Sequence, residues 1–389
     1  MTELTLPAPA ATFVHAGGLD VEWRAVDPAV PAGASVRLVD VDGVELGLAL
    51  ADPDNQRLRL LVRAADGLTR VDGTVLALRL ERAMALRTRL GLPGADAAYR
   101  LLNGAGDGVP GFTCDVYGRF AVIHAYAPAL VPLARVLAEA VRGFARVDGV
   151  VIKTRTRGGA DDVAHEVVGT APPDQHVARE RGVPYQLHLQ RGLNVGLFTD
   201  MRQHRDLLAP LAAGARVLNL FSYTGAFSVA CARAGAASVV SVDTSPGVHA
   251  WAQANFRLSE LADDRKRWRF EAGDAVRFLA RAERERERYD LVIIDPPTFS
   301  TARGAPWTVD RDYPPLIAQA LGVIPDGGLV WLACNTHDGV ALGKLVGRAV
   351  GSAGRPATVL SEGGLPPDYP TVPAQPKDRY LQTMLLRVG

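Results

Sequence analysis

Four side chains in the second half of the chain could do chemistry together. Three are acids that follow short apolar runs: Asp243 after SVVSV, Asp274 after WRFEAG and Asp295 after YDLVII. The fourth is a thiol, Cys334, after LVWLA. An acid at a strand end can accept hydrogen bonds from a ribose diol or an exocyclic amine. A thiol becomes a nucleophile only as thiolate. A lone cysteine at a strand end is ordinarily a small core residue, and its place after the strand that follows Asp295 is what raises a catalytic reading.

These groups need a scaffold, and RVLNLFSYTGAFSVACARAGAASVVSVD, Arg216 to Asp243, reads as strand, turn, helix and strand. Val217, Leu218, Leu220 and Phe221 suit a buried strand, Ala226 to Arg233 a helix, and Val239, Val240 and Val242 a second buried strand. Ser222, Tyr223 and Gly225 form the turn, flanked by Asn219 and Phe221. Asp243 and Thr244 close the half-site, about twenty residues beyond the turn, a spacing that dinucleotide and S-adenosylmethionine (AdoMet) folds share. A pyrophosphate wants several glycines for close backbone approach. This turn has one, beside bulky Tyr223, so the cationic methionyl end of AdoMet fits better, and another α/β use stays open.

The remaining candidates border this half-site or lie upstream. Thr199 or Asp200 can cap a helix from Met201 to Ala212, just before the first cofactor strand. After Asp295, Pro296, Pro297, Thr298 and Phe299 make a stiff loop at the carboxyl edge of the sheet, suited to holding a planar base. Lys153, Arg155 and Arg157, in KTRTRGG, are the best local candidates for phosphate contact.

The chain has 389 residues, with 43 Lys+Arg against 42 Asp+Glu, so it carries no global basic coat. Its three cysteines are far apart, which argues against metal and disulfide frameworks. The N-terminus is no signal peptide and no run is apolar enough to span a membrane, so a cytoplasmic setting is expected. Three segments are expected. Residues 1–75 are β-rich, with a hairpin around Asp42-Gly43 and a strand in which Arg57, Arg59 and Arg63 alternate with apolar residues, an outer face read as solvated, with RNA-phosphate contact as the alternative. Residues 76–189 form a small α+β domain. Residues 190–389 form one doubly wound α/β domain. Ala275 to Arg288 reads as a helix, Leu316 to Leu321 as another, and Leu329 to Ala333 as a strand with Cys334 beyond its end.

Together NLFSYTGAFSV, the acid of VVSVD, Asp274, DPPTFS and ACN resemble class I AdoMet-dependent 23S ribosomal RNA large-subunit methyltransferases. YRLLNGAGDGVPGFTCDVYGRF and LFTDMRQHRDLL extend the resemblance over residues 95 to 389. It implies a PUA-like RNA-binding domain, a small α+β domain and a Rossmann-like methyltransferase domain. It also implies 23S rRNA as partner, AdoMet as cofactor, no metal, and a possible homodimer. Ser222, Tyr223 and Gly225 would border the methionine, Asp243 the ribose and Asp274 the adenine, with Asp295 at the junction with the target. Cytosine C5 methylation, with Cys334 as nucleophile, is the preferred chemistry. Ala-Cys-Asn, however, replaces the expected Ser-Cys-Ser and puts the cysteine one place early. Guanine N7 methylation, which needs no nucleophile, is the alternative; its members carry DPPTFS and asparagines at 334 and 335. A methyltransferase acting on a protein or small molecule, or a non-catalytic RNA-binding ribosome-assembly factor, are further readings.

Overall fold

The structure, a computed structural model, describes residues 1–23, 30–155, 165–297, 307–336 and 339–389. The chain folds as two compact units. The first holds Met1–Gly182, Leu187–Val195 and Pro367–Asp378, and the second holds Val183–Gln186, Gly196–Pro366 and Arg379–Gly389. The segments 1–75 and 76–189 therefore fall mostly within the first unit, which also takes in 367–378.

In the first unit, β1 (Thr2–Thr5), β2 (Asp20–Glu22), β3 (Ser35–Val39), β4 (Glu45–Asp52) and β5 (Arg57–Arg63) form a sheet ordered β1-β3-β4-β5-β2, with α1 (Ala8–His15) beside it. The hairpin between β3 and β4 forms where the sequence places it. Asp40 Oδ1 accepts from the backbone N–H of Asp42 and Val44, and Gly43 supplies the left-handed backbone of the turn at φ 79°. The arginines of β5 do not form a solvated outer face. Arg59 is buried, with its guanidinium between Asp20 (2.5 Å) and Asp52 (2.8 Å); Arg57 pairs with Glu22, and Arg63 donates to Gly17 O. The alternating pattern reported a strand correctly, but Asp20, Asp52, Glu22 and the Gly17 carbonyl occupy its cations.

A second sheet, ordered β10-β9-β8-β7-β6, follows from β6 (Ala98–Asn103), β7 (Phe112–Tyr117), β8 (Phe120–Ala125), β9 (Gly149–Thr154) and β10 (His165–Gly169). One of its faces, with Cys114, Ile123 and Ile152, shares a core with Leu76 and Leu80 of α2 (Gly73–Arg89) and Leu137 and Val141 of α3 (Val131–Ala145). Residues 367–378 join this unit through specific bonds: Arg87 Nη2 to Asp368 O (2.7 Å), Asn103 Nδ2 to Pro370 O (2.9 Å) and Leu19 N to Gln375 Oε1 (2.7 Å). Two further short strands are β11 (His176–Glu180) and β12 (Val183–Leu187).

The second unit alternates helix and strand: α4 (Arg202–Leu211), β13 (Arg216–Leu220), α5 (Ala226–Arg233), β14 (Ser238–Asp243), α6 (Pro246–Leu258), β15 (Trp268–Ala272), α7 (Ala275–Arg284), β16 (Leu291–Ile294), α8 (Val309–Leu321), β17 (Leu329–Asn335), α9 (Leu342–Ala353), then β18 (Ala357–Gly363) and β19 (Leu381–Val388). The strand order is β15-β14-β13-β16-β17-β19-β18, parallel except for β19, which is antiparallel to both neighbours. This is a Rossmann-like, doubly wound sheet with one antiparallel strand inserted next to its edge. Its order reverses between β13 and β16, and open α/β sheets bind ligands beyond the strand ends at such a point.

Three boundaries differ from expectation. α7 stops at Arg284, and Arg286 takes a left-handed φ of 56°. Glu287 instead turns back to Arg269, which also pairs with Glu271 beside Arg281. α8 begins at Val309, and its internal prolines, Pro314 and Pro315, hid the early turns from the periodicity. β17 runs through Cys334 and Asn335, because β19 pairs Cys334 with Gln382 and Asn335 with Leu381. Cys334 is therefore within a strand rather than beyond one.

Candidate active site

The turn after β13 is held in an unusual backbone shape. Phe221 and Tyr223 both have positive φ, 58° and 46°, and Gly225 follows at 76° as the N-cap of α5. For residues with a Cβ this conformation costs about 1–3 kcal/mol each, so the surroundings must enforce it. They do. Ser222 N donates to Val242 O (3.0 Å) and Gly225 N to Ser222 O (2.9 Å). Thr224 Oγ1 donates to Gly196 O (2.6 Å), and Asn255 Nδ2 donates to Thr224 O (2.9 Å). Gly196 is required here: its φ is 110°, and a Cβ would lie 2.1 Å from the Trp251 ring.

Asp243 stands across from the turn at the end of β14. Its Oδ2 accepts from Tyr223 N (3.0 Å) and its Oδ1 from Ser245 N (3.1 Å). A carboxylate oxygen can accept more than one hydrogen bond, so capacity for a diol is retained. Thr244 is exposed beside it. Asp274 caps α7, its Oδ1 accepting from Val276 N and Arg277 N, both at 3.1 Å. Asn219 is turned inward: it is 2 % exposed and donates to Ser228 Oγ (2.9 Å), which in turn meets Ser241 Oγ (2.8 Å). Through these bonds it braces β13, α5 and β14.

Ser222 Oγ is buried and has no hydrogen-bond partner among the described residues. An orphaned hydroxyl just after β13, in the turn whose Tyr223 N–H donates to Asp243, fits a ligand with a cationic amino-acid end and a ribose. Aromatic rings surround the turn: Phe198 lies 5.5 Å from Tyr223, Tyr223 is 6.1 Å from Trp251, and Phe221 is 6.3 Å from Trp307. Sequence reasoning passed over Phe198, Trp251 and Trp307 as ligand-side residues. The glycine at 196 was the one local signal, since only glycine lets a large neighbour such as Trp251 come this close to the backbone.

Asp295 ends β16, next to β13. Burial and the nearby Asp200 push its carboxyl up to about 7, with Arg205 opposing the shift. Asp200 is buried and accepts from Tyr380 Oη (2.9 Å). Neither Thr199 nor Asp200 caps α4; Thr199–Met201 form a 3-10 turn, and no side chain caps the helix that follows. Pro296 is buried and Pro297 exposed. Thr298, Phe299 and Arg157 lie outside the described residues, as does His337. Lys153 and Arg155 belong to the first unit.

Cys334 faces the layer of α8 and α9 with Val330 and Leu332, and is 2 % exposed. Burial, then Asp310 and Asp295, push its thiol up to about 11. At neutral pH only roughly one thiol in ten thousand would then be thiolate. Side chains alternate along a strand, so Asn335 points to the opposite face from Cys334.

Among the described residues there is no group of three or more His, Cys, Asp or Glu that could hold a metal ion, and no helix is long and apolar enough to cross a membrane.

The chain is 29% identical to ribosomal RNA large subunit methyltransferase I of Erwinia tasmaniensis over 362 residues, covering 92% of this chain and 91% of that one. The same-named protein of Cronobacter sakazakii is 28% identical over 361 residues, with 90% and 89% covered. The solved structure of SMU.776, a candidate methyltransferase complexed with SAH, superimposes with a TM-score of 0.89 at 28% identity, covering all of both chains. Residues 133–382, most of the chain, match the model of S-adenosylmethionine-dependent methyltransferases, and with the sheet order and the turn described above this establishes that the chain is an AdoMet-dependent enzyme belonging to that family.

Proposed function

We propose that this enzyme methylates a base of 23S rRNA. The observation that carries this is the alignment of Asp295, poised near neutral pH, beside the Ser222–Asp243 turn, in a chain that shares about nine-tenths of its length with ribosomal RNA methyltransferases. Bound AdoMet supplies an electrophilic methyl group. Ser222 and the Tyr223–Gly225 backbone would hold its amino-acid end, Asp243 its ribose hydroxyls and Asp274 its adenine. Pro296 and Pro297, with Thr298 and Phe299, would hold the target base. Holding the two reactants in line supplies much of the rate in such a reaction.

Cytosine C5 is the target proposed first. Cys334 Sγ would add to C6 of the ring, making C5 nucleophilic, and Asp295 could take the C5 proton when the thiol is eliminated. The length-wide similarity to large subunit methyltransferase I supports this reading. Guanine N7 is the second reading, and the buried, protonated thiol of Cys334 favours it, because N7 already carries a lone pair. The segment 1–75 is proposed to be PUA-like and to dock RNA.

The test is mass-spectrometric mapping of 23S rRNA from cells with and without the gene, followed by restoration with purified enzyme. A missing methyl that the enzyme restores supports the reading and identifies base and atom. Intact rRNA methylation in the deletion strain would overturn it.

A further inference from the structure

The second sheet of the first unit has two faces, and only one packs against α2 and α3. The other carries a polar row. Register places Thr113 opposite His124 and His124 opposite Lys153 on β7, β8 and β9. One step further, beyond the strand end, Arg155 lies with its guanidinium 5.3 Å from the Tyr126 ring centroid. Adjacent residues on neighbouring strands have Cβ atoms about 5 Å apart, so these groups are successive neighbours along one row.

Their hydrogen bonding is incomplete. Thr113 and His124 are each 8 % exposed, yet Thr113 Oγ1 and His124 Nδ1 have no partner among the described residues, and neither has Arg155 Nε. Lys153 is fully buried and donates to two backbone carbonyls, Gly192 O (2.9 Å) and Arg191 O (3.3 Å), leaving a third N–H. Buried polar groups are ordinarily satisfied, and several orphans on one row need a common explanation.

The charge on this face is unbalanced as well. Its carboxylate, Asp115, is gripped by Arg100 at 2.7 and 3.0 Å. Lys153 is held by carbonyls, which offer no opposite charge. Burial and the surrounding cations Arg155, Arg100 and Lys153 hold the His124 ring well below its ordinary pKa. A neutral imidazole still offers one N–H. Among the described residues, two cations without a carboxylate partner, a hydroxyl and an imidazole thus share one row of donors, and an anion with several acceptor oxygens would satisfy them.

We propose that Thr113, His124, Lys153 and Arg155 form a binding site for a phosphodiester of the RNA substrate. The inference rests on the RNA reading of the enzyme and deepens it. The sequence pointed only to the basic exit of β9; the threonine and histidine enter through strand register. Tyr126, beside Arg155, offers a flat surface on which a base next to that phosphate can stack.

The full-length enzyme, Arg155→Gln, Thr113→Val and a remote control, Arg70→Gln, are compared for binding to a 23S rRNA fragment by fluorescence anisotropy over a salt series. AdoMet affinity is followed by calorimetry. Thermal melts with inorganic phosphate form a separate arm. The expected result is about a tenfold weaker RNA affinity for Arg155→Gln, with the salt slope reduced by about one. Thr113→Val weakens RNA binding without changing the slope. AdoMet affinity is unchanged in both, and Arg70→Gln behaves as wild type. RNA binding unchanged in both variants overturns the proposal. A phosphate-dependent rise in melting temperature that both variants lose, with RNA binding intact, also overturns it, because the site then takes a free anion. If the wild-type enzyme binds the fragment but transfers no methyl to it, the rRNA methylation reading fails while the variants still decide the phosphate site.

Discussion

Replacing Asp295 by Asn should make the enzyme more stable at alkaline pH and leave its stability unchanged in acid. The carboxyl rises from 3.8 to about 7 on folding, mainly by burial and then by the neighbouring charge of Asp200. The folded state thus keeps a proton that the unfolded chain releases from about pH 4 upward. Stability must fall as pH rises through that window, reach its full cost above about pH 7, and show no contribution below about pH 4. Each pKa unit corresponds to about 1.4 kcal/mol, which puts the ceiling near 4 kcal/mol. Asp295 retains some solvent exposure, so about 2 kcal/mol is the expected gain for Asp295→Asn at pH 8. For a domain of this size that is a rise in melting temperature of about 4–8 °C. Scanning calorimetry of both proteins from pH 4.5 to 8.5 reads it directly. The curves should diverge with rising pH and converge at the acid end. Parallel curves across the whole range would refute the reasoning, since they would mean Asp295 does not hold its proton in the folded chain. Methyl transfer should be lost in the same variant, with AdoMet binding retained.

Cys334→Ala should abolish turnover on a defined rRNA fragment, with calorimetric AdoMet affinity intact, if the thiol is the nucleophile; full activity would remove the covalent route and leave guanine N7. Gly196→Ala places a methyl 2.1 Å from the Trp251 ring at a backbone φ of 110°, so it should destabilise the second unit by about 2–4 kcal/mol and loosen the Thr224 brace, read as a lower melting temperature and weaker AdoMet binding. Asp243→Ala removes the carboxylate that ties Tyr223 and Ser245 and should weaken AdoMet binding by about 1.5–3 kcal/mol, a ten- to hundredfold rise in the calorimetric Kd. Asp52→Ala leaves the buried Arg59 with a single acid and should cost about 3–5 kcal/mol in urea denaturation, whereas unchanged stability would show that Asp20 suffices.

The local half of the site was legible because strand, turn and helix in RVLNLFSYTGAFSV follow one another along the chain. β13 and α5 begin and end within a residue of the apolar periodicity, and Asp243 falls at the end of β14 as its run of valines requires. Parallel strands buried on both faces have to be continuous apolar runs, so the α/β class is written in composition and order alone. Cys334 shows where that kind of reading stops. Its position after LVWLA marked it as a residue beyond a strand, but β19, closed nearly fifty residues later, extends β17 through it and turns its thiol into the layer of α8 and α9. Arg59 gives the same lesson for charge: an alternating arginine reads as a solvated face until Asp20 and Asp52 arrive from other strands. The return of 367–378 to the first unit, the aromatic ring of Trp251 against Gly196, and the row from Thr113 to Lys153 all depend on pairs separated by tens or hundreds of residues. Periodicity and turn chemistry act over a few residues and so determined which elements form. Which side chains meet, and therefore which charges are paired and which pKa values move, was decided only by packing and strand register in the folded chain.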